Sequence, residues 1–326
     1  EVTMVNIFNY NDRLVSTFVE EFVEAKLSNS SFIFTCVYKS ADFPEERQVF
    51  LIEVEGQHFA LKLDLTSHKT SRLEIEFDVL NRLHLHFERH RRVSVIKPIY
   101  FSPSGKFFVT EYVGRKTATE AIRELEQDNR AGQIYRRSGE WLHVLHSFTE
   151  ATHERFWYQW MFENINSIIS SSTPQALAEE FEPMIEQLHR DAIKIDGVSD
   201  LKVFSSGDFH GRNLIIDSGH VYGLDFTEAK EKLAVYDIVD FLKIDVFRKG
   251  KSSDLDRSGI LKYNKKMFFK LYRHPINMDV LDFSIRARLL IDWLSITRER
   301  YSKTKFQRTK FEKLRERLLI TFQTGL

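Results

Sequence analysis

Residues 204–229 read FSSGDFHGRNLIIDSGHVYGLDFTEA, two short apolar runs set among carboxylates and one amide. Asn213 stands five residues after Asp208, and Asp225 stands twelve after Asn213. Leu214–Ile216 and Val221–Leu224 have the composition of short strands, and Ser218-Gly219 between them is a pair that closes a hairpin. A tight hairpin brings its open ends together, so Asn213 and Asp225 are expected at one mouth, with Asp208 on the loop before it. An amide and a carboxylate are hard oxygen ligands of the kind that hold Mg2+ against phosphate. A second carboxylate, left free, can orient an attacking hydroxyl. The pattern points to metal-assisted phosphoryl transfer; a hairpin whose Asp and Asn only form turns is the alternative.

The order Asp-x-x-x-x-Asn, hairpin, Asp-Phe resembles one shared by protein kinases and by small-molecule kinases of the aminoglycoside phosphotransferase and choline kinase type. The flanking residues are more similar to the second group. Asp208-Phe209-His210-Gly211-Arg212-Asn213 resembles its D-x-H-x-x-N loop, Gly223 to Ala229 its D-F-E-A segment, and Tyr236-Asp237-Ile238-Val239 the Y-D-L-A that follows. The resemblance implies an α+β, protein kinase-like, two-lobed fold. Residues 1–112 would form a nucleotide-binding lobe, a five-stranded antiparallel sheet with one helix. Residues 113–326 would form a mainly helical lobe for catalysis and substrate. It further implies ATP and Mg2+ as cofactors, Asp208 as the catalytic carboxylate, Asn213 and Asp225 as metal ligands, and Asp237 as the anchor of the catalytic loop. His210 and Arg212 lie inside that loop and are candidates for contact with the transferred phosphate or the acceptor. For Arg212 a salt bridge to a neighbouring helix is the alternative. In one respect the chain departs from the family: Ser206-Gly207-Asp208 stands where the family has His-Gly-Asp, which removes a side chain that braces the loop.

Composition is that of an ordinary globular protein, 42% hydrophobic and 29% charged, and long enough at 326 residues for two cores. With a formal net charge of zero, no global field draws the chain to nucleic acid or to an anionic membrane. No apolar run reaches the roughly 18 residues of a membrane span. The single cysteine, Cys36, excludes an intrachain disulfide and any multi-cysteine metal site. No signal-peptide pattern opens the sequence, and a cytoplasmic protein is expected. Between Arg298 and Arg317, nine Lys/Arg against three Glu fall on a helical pattern, read as a solvated helix face with an anionic partner as the alternative.

Taken from the start, Asn11 or Asp12 caps a first helix carrying Leu14, Val15, Phe18, Val19, Phe22 and Val23 at helical spacing. Strands are expected at Phe32–Tyr38, Gln48–Val54 and His58–Leu65, with Glu55-Gly56-Gln57 turning between the last two. The Lys39–Arg47 loop contains no glycine, unlike the phosphate-covering loop of protein kinases. Lys62, inserted in an alternating strand, resembles the family's phosphate-binding lysine; a surface lysine reaching to water is the alternative. A helix at Ser71–His84 offers Glu76 as its partner by resemblance. Glu74 competes, and since the two lie about 200° apart round a helix, only one can face the strand. Strands at Val93–Phe101 and Lys106–Val113 follow, joined by Ser102-Pro103-Ser104-Gly105. Resemblance would have the Glu111 carbonyl and Val113 amide read the adenine edge.

Beyond Lys116 the pattern turns helical, with helices expected at Ala131–Phe148, Pro174–Lys194, Ala234–Phe247, Asp254–Tyr272, Asp279–Tyr301 and Lys305–Phe322. His146 reads as a packed histidine. Phe156–Phe162 is dense in aromatics, either core or a wall against a substrate ring or cation. Three function classes follow: a kinase acting on a hydroxyl of a small molecule (aminoglycoside, sugar or amino alcohol), a nucleotide-binding regulator with little transfer activity, or a protein kinase. The glycine-free loop and the lack of an Ala-Pro-Glu segment after Asp225 argue against the last. The sequence leaves the acceptor and the oligomeric state open.

Overall fold

The computed structural model describes residues 10–27, 31–66, 72–125, 129–172, 177–299, 304–323 and 325–326. The chain divides into two compact units, one of Glu1–Arg115 with Tyr222–Thr227 and one of Lys116–Val221 with Glu228–Leu326.

In the first unit α1 (Tyr10–Lys26) precedes strands β1 (Phe32–Lys39), β2 (Arg47–Val54) and β3 (Gln57–Asp64). Glu55 and Gly56 both take positive φ, 50° and 77°, the two-residue turn whose twist matches that of the flanking strands. After α2 (Arg72–Phe87) come β4 (Val93–Val95), β5 (Pro98–Phe101) and β6 (Phe107–Glu111). The antiparallel sheet runs β1-β2-β3-β6-β5. Along β2 every second residue is buried, and Phe50, Ile52 and Val54 meet Val19, Phe22 and Val23 of α1 in one core. The single strand expected at Val93–Phe101 is two, because Pro98 has no N–H to give to a ladder. Its neighbours turn elsewhere: Ile96 N donates to Gly223 O at 3.1 Å and Lys97 N to Glu111 Oε1 at 2.8 Å. The position expected to start α2, Ser71, lies outside the described residues.

The second unit is mostly helical: α3 (Ala118–Glu124), α4 (Ala131–Leu145), α5 (Gln159–Ser172), α6 (Ala178–Ile195), α7 (Ala234–Leu242), α8 (Lys262–Phe269), α9 (Met278–Glu299) and α10 (Lys305–Thr321). Its centre is α9, where Ile285, Leu289, Leu290 and Trp293 are buried around the helix, the signature of a core helix rather than a surface one. Helical reading missed a three-stranded sheet, β7 (Thr152–Arg155), β8 (Ser199–Ser205) and, after the short β9 (Leu214–Ile216) and β10 (Val221–Gly223), β11 (Lys230–Leu233), in the order β11-β8-β7. The outer strands are polar and largely exposed, so they carry no apolar alternation to read.

Two expected helices are shorter than their pattern. The stretch before Lys262 is a turn, in which Asp256 Oδ1 accepts from Ser258 N at 2.9 Å and Ile260 N at 3.1 Å, with Gly259 at φ 87°. Beyond Leu242, α7 tightens into a 3-10 turn, Lys243–Phe247. Nor is α10 a uniformly solvated basic face. Arg317 is buried and donates to Asp245 Oδ2 at 3.0 Å, and Arg315 pairs with Glu180 at 2.6 Å. Expected start Pro174 of α6 and end Tyr301 of α9 fall outside the described residues. No helix among the described residues is long and apolar enough to cross a membrane.

Candidate active site

Leu61 and Leu63 of β3 point into the core of the first unit, so strand alternation turns Lys62 to the opposite face. There its Nζ lies 2.7 Å from Glu76 Oε1, 3.0 Å from Asp225 Oδ1 and 3.2 Å from Thr227 Oγ1. Glu76 is buried on α2, whereas Glu74 is exposed, which settles the choice between them. Asp225 takes a left-handed backbone, φ 62°, which a short polar side chain tolerates. Thr227, which sequence reasoning passed over, has its hydroxyl 2.6 Å from Asp225 Oδ1 and 3.1 Å from Glu76 Oε2, close enough to donate to either. Its place two residues after an aspartate, where a hydroxyl can return to that carboxylate, is the signal that could have found it.

Burial works against both charges here. It would raise Asp225, but the Lys62 charge and the hydrogen bonds from Thr227 and Lys62 hold the carboxyl down at about 2. Burial would lower Lys62, but Glu76 and Asp225 raise it above the ordinary lysine range. Lys62 and Asp225 are therefore both ionised at neutral pH. Beside them lies a small cavity of about 120 Å³, also lined by Tyr38 and Ser40. At the end of β6 the Glu111 carbonyl accepts from Thr110 Oγ1 at 3.1 Å, while the Val113 N–H gives no backbone hydrogen bond among the described residues.

In the second unit β8 delivers the chain to Ser206-Gly207-Asp208. Phe209 is buried, stacked on Trp141 at 5.4 Å, and this anchor leaves the neighbouring Asp208 exposed. The loop is held from below by Asp237 in the first turn of α7. Its carboxylate accepts from Ser205 Oγ at 2.8 Å, Ser206 N at 2.9 Å and Gly207 N at 3.3 Å. His146 Nε2 is 3.1 Å from the same carboxylate, and its Nδ1 is 2.8 Å from the Tyr272 hydroxyl. Burial lowers the pKa of His146 despite Asp237, so the ring is neutral, donating to Asp237 and accepting from Tyr272. A histidine read as merely packed thus stands behind the loop, and the brace that Ser206 cannot give comes from Asp237, Ser205 and His146 together. At Gly207, φ 81°, a Cβ would sit 2.1 Å from the Glu228 carbonyl, so only glycine fits.

Asn213 ends the short 3-10 turn Gly211–Asn213 and gives its amide nitrogen to the Asp208 carbonyl at 3.0 Å. His210 Nε2 is 3.3 Å from Asp208 Oδ2. Burial would lower that ring's pKa, but Asp208 prevails and raises it. Asp208, His210 and Arg212 line a cleft of about 800 Å³ in this unit. The aromatic run divides across it: Phe156 is core, while Trp157, 56% exposed, and Trp160 line the cleft. Arg212 makes no hydrogen bond or ion pair among the described residues, so the salt bridge offered as its alternative role is not formed there.

A five-stranded antiparallel sheet in one unit and a mostly helical second unit define a protein kinase-like fold of the small-molecule kinase type. The chain belongs to the phosphotransferase enzyme family, APH, whose family model matches residues 44–261. Among solved structures it is similar to a spectinomycin phosphotransferase, APH(9)-Ia, in complex with ADP and spectinomycin, at 14% identity over 94% of this chain and 98% of that one, TM-score 0.60. A choline kinase from Cryptosporidium parvum Iowa II aligns at 12% identity over 93% and 95%, TM-score 0.57. The amicoumacin kinase hAmiN, in complex with AMP-PNP, Ca2+ and Ami, aligns at 16% identity over 96% of each chain, TM-score 0.56. At such identities the likeness is one of fold. No curated protein sequence matches the chain.

Proposed function

We propose that this protein transfers the γ-phosphate of ATP to a hydroxyl of a small molecule in a Mg2+-dependent reaction. The observation that carries the reading is the Lys62–Glu76–Asp225 centre, in which a lysine is held charged by two carboxylates, one buried and one lowered to about 2. An ammonium held that way is a fixed point charge for nucleotide phosphates.

Among the described residues no three His, Cys, Asp or Glu side chains group as a metal site. Mg2+ commonly takes only one or two protein oxygens and completes its shell with substrate phosphates and water, so an ionised Asp225 and the amide oxygen of Asn213 suit it. When bound, Mg2+ would neutralise charge on the phosphates. The protein's own residues do the rest. Lys62 binds and orients the phosphate chain, and Glu76 keeps the lysine extended. The Glu111 carbonyl and the Val113 amide read the adenine edge. Asp208 accepts a hydrogen bond from the acceptor hydroxyl and aligns it for attack, and Asp237 fixes the backbone that presents Asp208. An aspartate ordinarily titrates near 4, a weak base, so alignment contributes more than proton abstraction in a loose transition state.

The nucleotide-binding regulator rests on Ser206 in place of histidine and on the glycine-free loop; the hydrogen bonds of Asp237 to Ser205 and Ser206 answer the first of these. The test is ADP release over a panel of hydroxyl compounds with a Mg2+-free control. Acceptor-stimulated, Mg2+-dependent release is expected. ATP binding that no acceptor converts to ADP would favour the regulator.

A further inference from the structure

We infer that the acceptor carries an oxyanion, a carboxylate or a phosphate monoester, beside the hydroxyl it offers, and that Arg123, Arg212 and Lys310 bind that group. The inference rests on the transferase reading above and specifies its substrate class.

Its first support is the state of the acids. A polycationic acceptor needs free carboxylates, and those of Asp240, Asp245 and Asp292 are already engaged. Asp240 is 2.7 Å from Arg288 and 3.6 Å from Lys243, and Asp292 is 3.1 Å from the same lysine. Asp245 is fully buried and bonded to Tyr135, Asn264 and Arg317. Glu154, on the cleft wall, is paired with Lys202 at 2.5 Å. The protein's own cations have already satisfied these carboxylates.

The second support is what remains. Nine Lys/Arg against six Asp/Glu line the cleft that Asp208 also lines, and five of the nine, Arg123, Arg212, Lys230, Lys232 and Lys310, form no ion pair among the described residues. Arg123, from α3, has its guanidinium against the rings of Phe247 and Phe306, 4.8 and 4.9 Å from their centroids, with a buried Nε that has no hydrogen-bond partner among the described residues. The two rings are themselves stacked at 5.9 Å, so the guanidinium rests on a preformed aromatic wall. Arg212 comes from the turn after Asp208, and Lys310 from α10. Three separate elements bring three positive charges to one cleft.

These charges act on one another. Burial foremost, then Arg212, depress the proton affinity of Arg123. Burial depresses that of Lys310, with Lys243, Arg212 and Arg123 adding to it and only Asp292 opposing. Like charges facing a partly water-excluded cleft repel, and an incoming oxyanion converts that repulsion into binding. Guanidinium forks match the two oxygens of a carboxylate or phosphate, which sets the ligand chemistry.

The experiment compares the full chain's ADP release with MgATP and four acceptors: glycerol, glycerol 3-phosphate, glycerate and kanamycin. Calorimetric titrations of each acceptor run in parallel. One or both anions should be turned over at least roughly tenfold more efficiently than glycerol or kanamycin, and the preferred anion identifies phosphate or carboxylate. Arg123→Gln and Lys310→Gln should each raise its KM roughly tenfold while leaving calorimetric ATP affinity unchanged. If glycerol or kanamycin is the better acceptor and the variants change nothing, the anion site is overturned while the transferase stands. If nothing is turned over, but the chain binds an anion that Lys310→Glu no longer binds, the site stands and the transferase reading fails. Variants that weaken ATP rather than the acceptor would assign the cations to the nucleotide and overturn the inference, as would a chain that binds neither anion.

Discussion

Around Lys62 two carboxylates share one ammonium; in the cleft of the second unit Arg123, Arg212 and Lys310 share no carboxylate of their own among the described residues. In the first centre every charge is answered within 3.0 Å, and the geometry is fixed before any ligand arrives. In the second, only the backbone beneath Asp208 is fixed, by the buried Asp237, while the side chains above it have surplus charge. On the reading proposed above, the difference teaches how the two tasks divide. A group that must hold a polyphosphate the same way each time is locked by its own partners. A surface that must discriminate among acceptors leaves its charges for the ligand to answer.

The sharpest way to break this comparison is at Asp208. Asp208→Asn keeps the size and the Phe209 anchor, so the loop should persist while the acceptor hydroxyl loses its carboxylate. Turnover should fall roughly 10²- to 10⁴-fold, with ATP affinity by calorimetry within twofold of wild type. A variant at full rate would remove Asp208 from the mechanism, and one that cannot bind ATP would make Asp208 part of nucleotide binding as well.

Next in size is the brace. Asp237→Ala leaves the Ser205 hydroxyl and two loop N–H groups without their buried acceptor, which should destabilise the second unit by about 3 kcal/mol. All four tryptophans, Trp141, Trp157, Trp160 and Trp293, lie in that unit, so urea melts followed by tryptophan fluorescence report on it alone. Asp237→Asn, which retains one acceptor oxygen, should lose less. Equal losses from both variants would mean that charge, not acceptor number, holds the loop.

The two centres also differ in how far the sequence discloses them. Lys62, Glu76 and Asp225 each stand in a recognisable local pattern, an alternating strand, a helix with one apolar face, and an Asp-Phe after a hairpin. The choice of Glu76 over Glu74 needed only the geometry of the helix against the strand. The cleft has no such local text. Arg123 and Lys310 are 187 residues apart, on helices whose charged faces look alike in sequence, and only the packing of α3 and α10 makes one of many basic residues a cleft residue. The same holds for His146 and Tyr272, where a buried chain of hydrogen bonds reads as two unrelated core positions. Polar edge strands β7 and β11 vanished for a related reason: their pairing with β8 is a tertiary fact. Local periodicity reveals elements that bury one face, and says little of groups chosen for what they meet.

A third test probes the locked centre. Lys62→Met strands the buried Glu76 carboxylate and should cost about 2–3 kcal/mol of stability in the first unit. Adding Glu76→Leu removes the orphaned charge, so the double variant should regain much of that stability and none of the activity. Cys36, exposed on β1 and the single cysteine of the chain, takes a fluorophore that reports on this unit. A double variant no more stable than Lys62→Met would show that the three charges hold the unit together as well as the nucleotide.

The smallest effect separates the two centres by sign. Asp225, lowered to about 2, contributes stability that is complete above the ordinary carboxylate range and is lost as pH falls from about 5 toward 2. Lys62, raised, keeps its contribution until pH climbs past the ordinary lysine range, so the centre is steady from about pH 5 to about pH 10. In the second unit Asp240 runs the other way: burial raises it despite Arg288 and Lys243, so the folded form takes up a proton more readily and mild acid favours it. Asp225 is 43% exposed, and solvent screening limits its share to about 1 kcal/mol. Urea midpoints taken between pH 6 and pH 3 should therefore fall more steeply for the Cys36 probe than for tryptophan fluorescence, and Asp225→Asn should flatten the Cys36 curve alone. Should both probes keep the same slope in that variant, the acid sensitivity would belong to the chain as a whole, and the Lys62 centre would lose its claim to be locked by its own carboxylates.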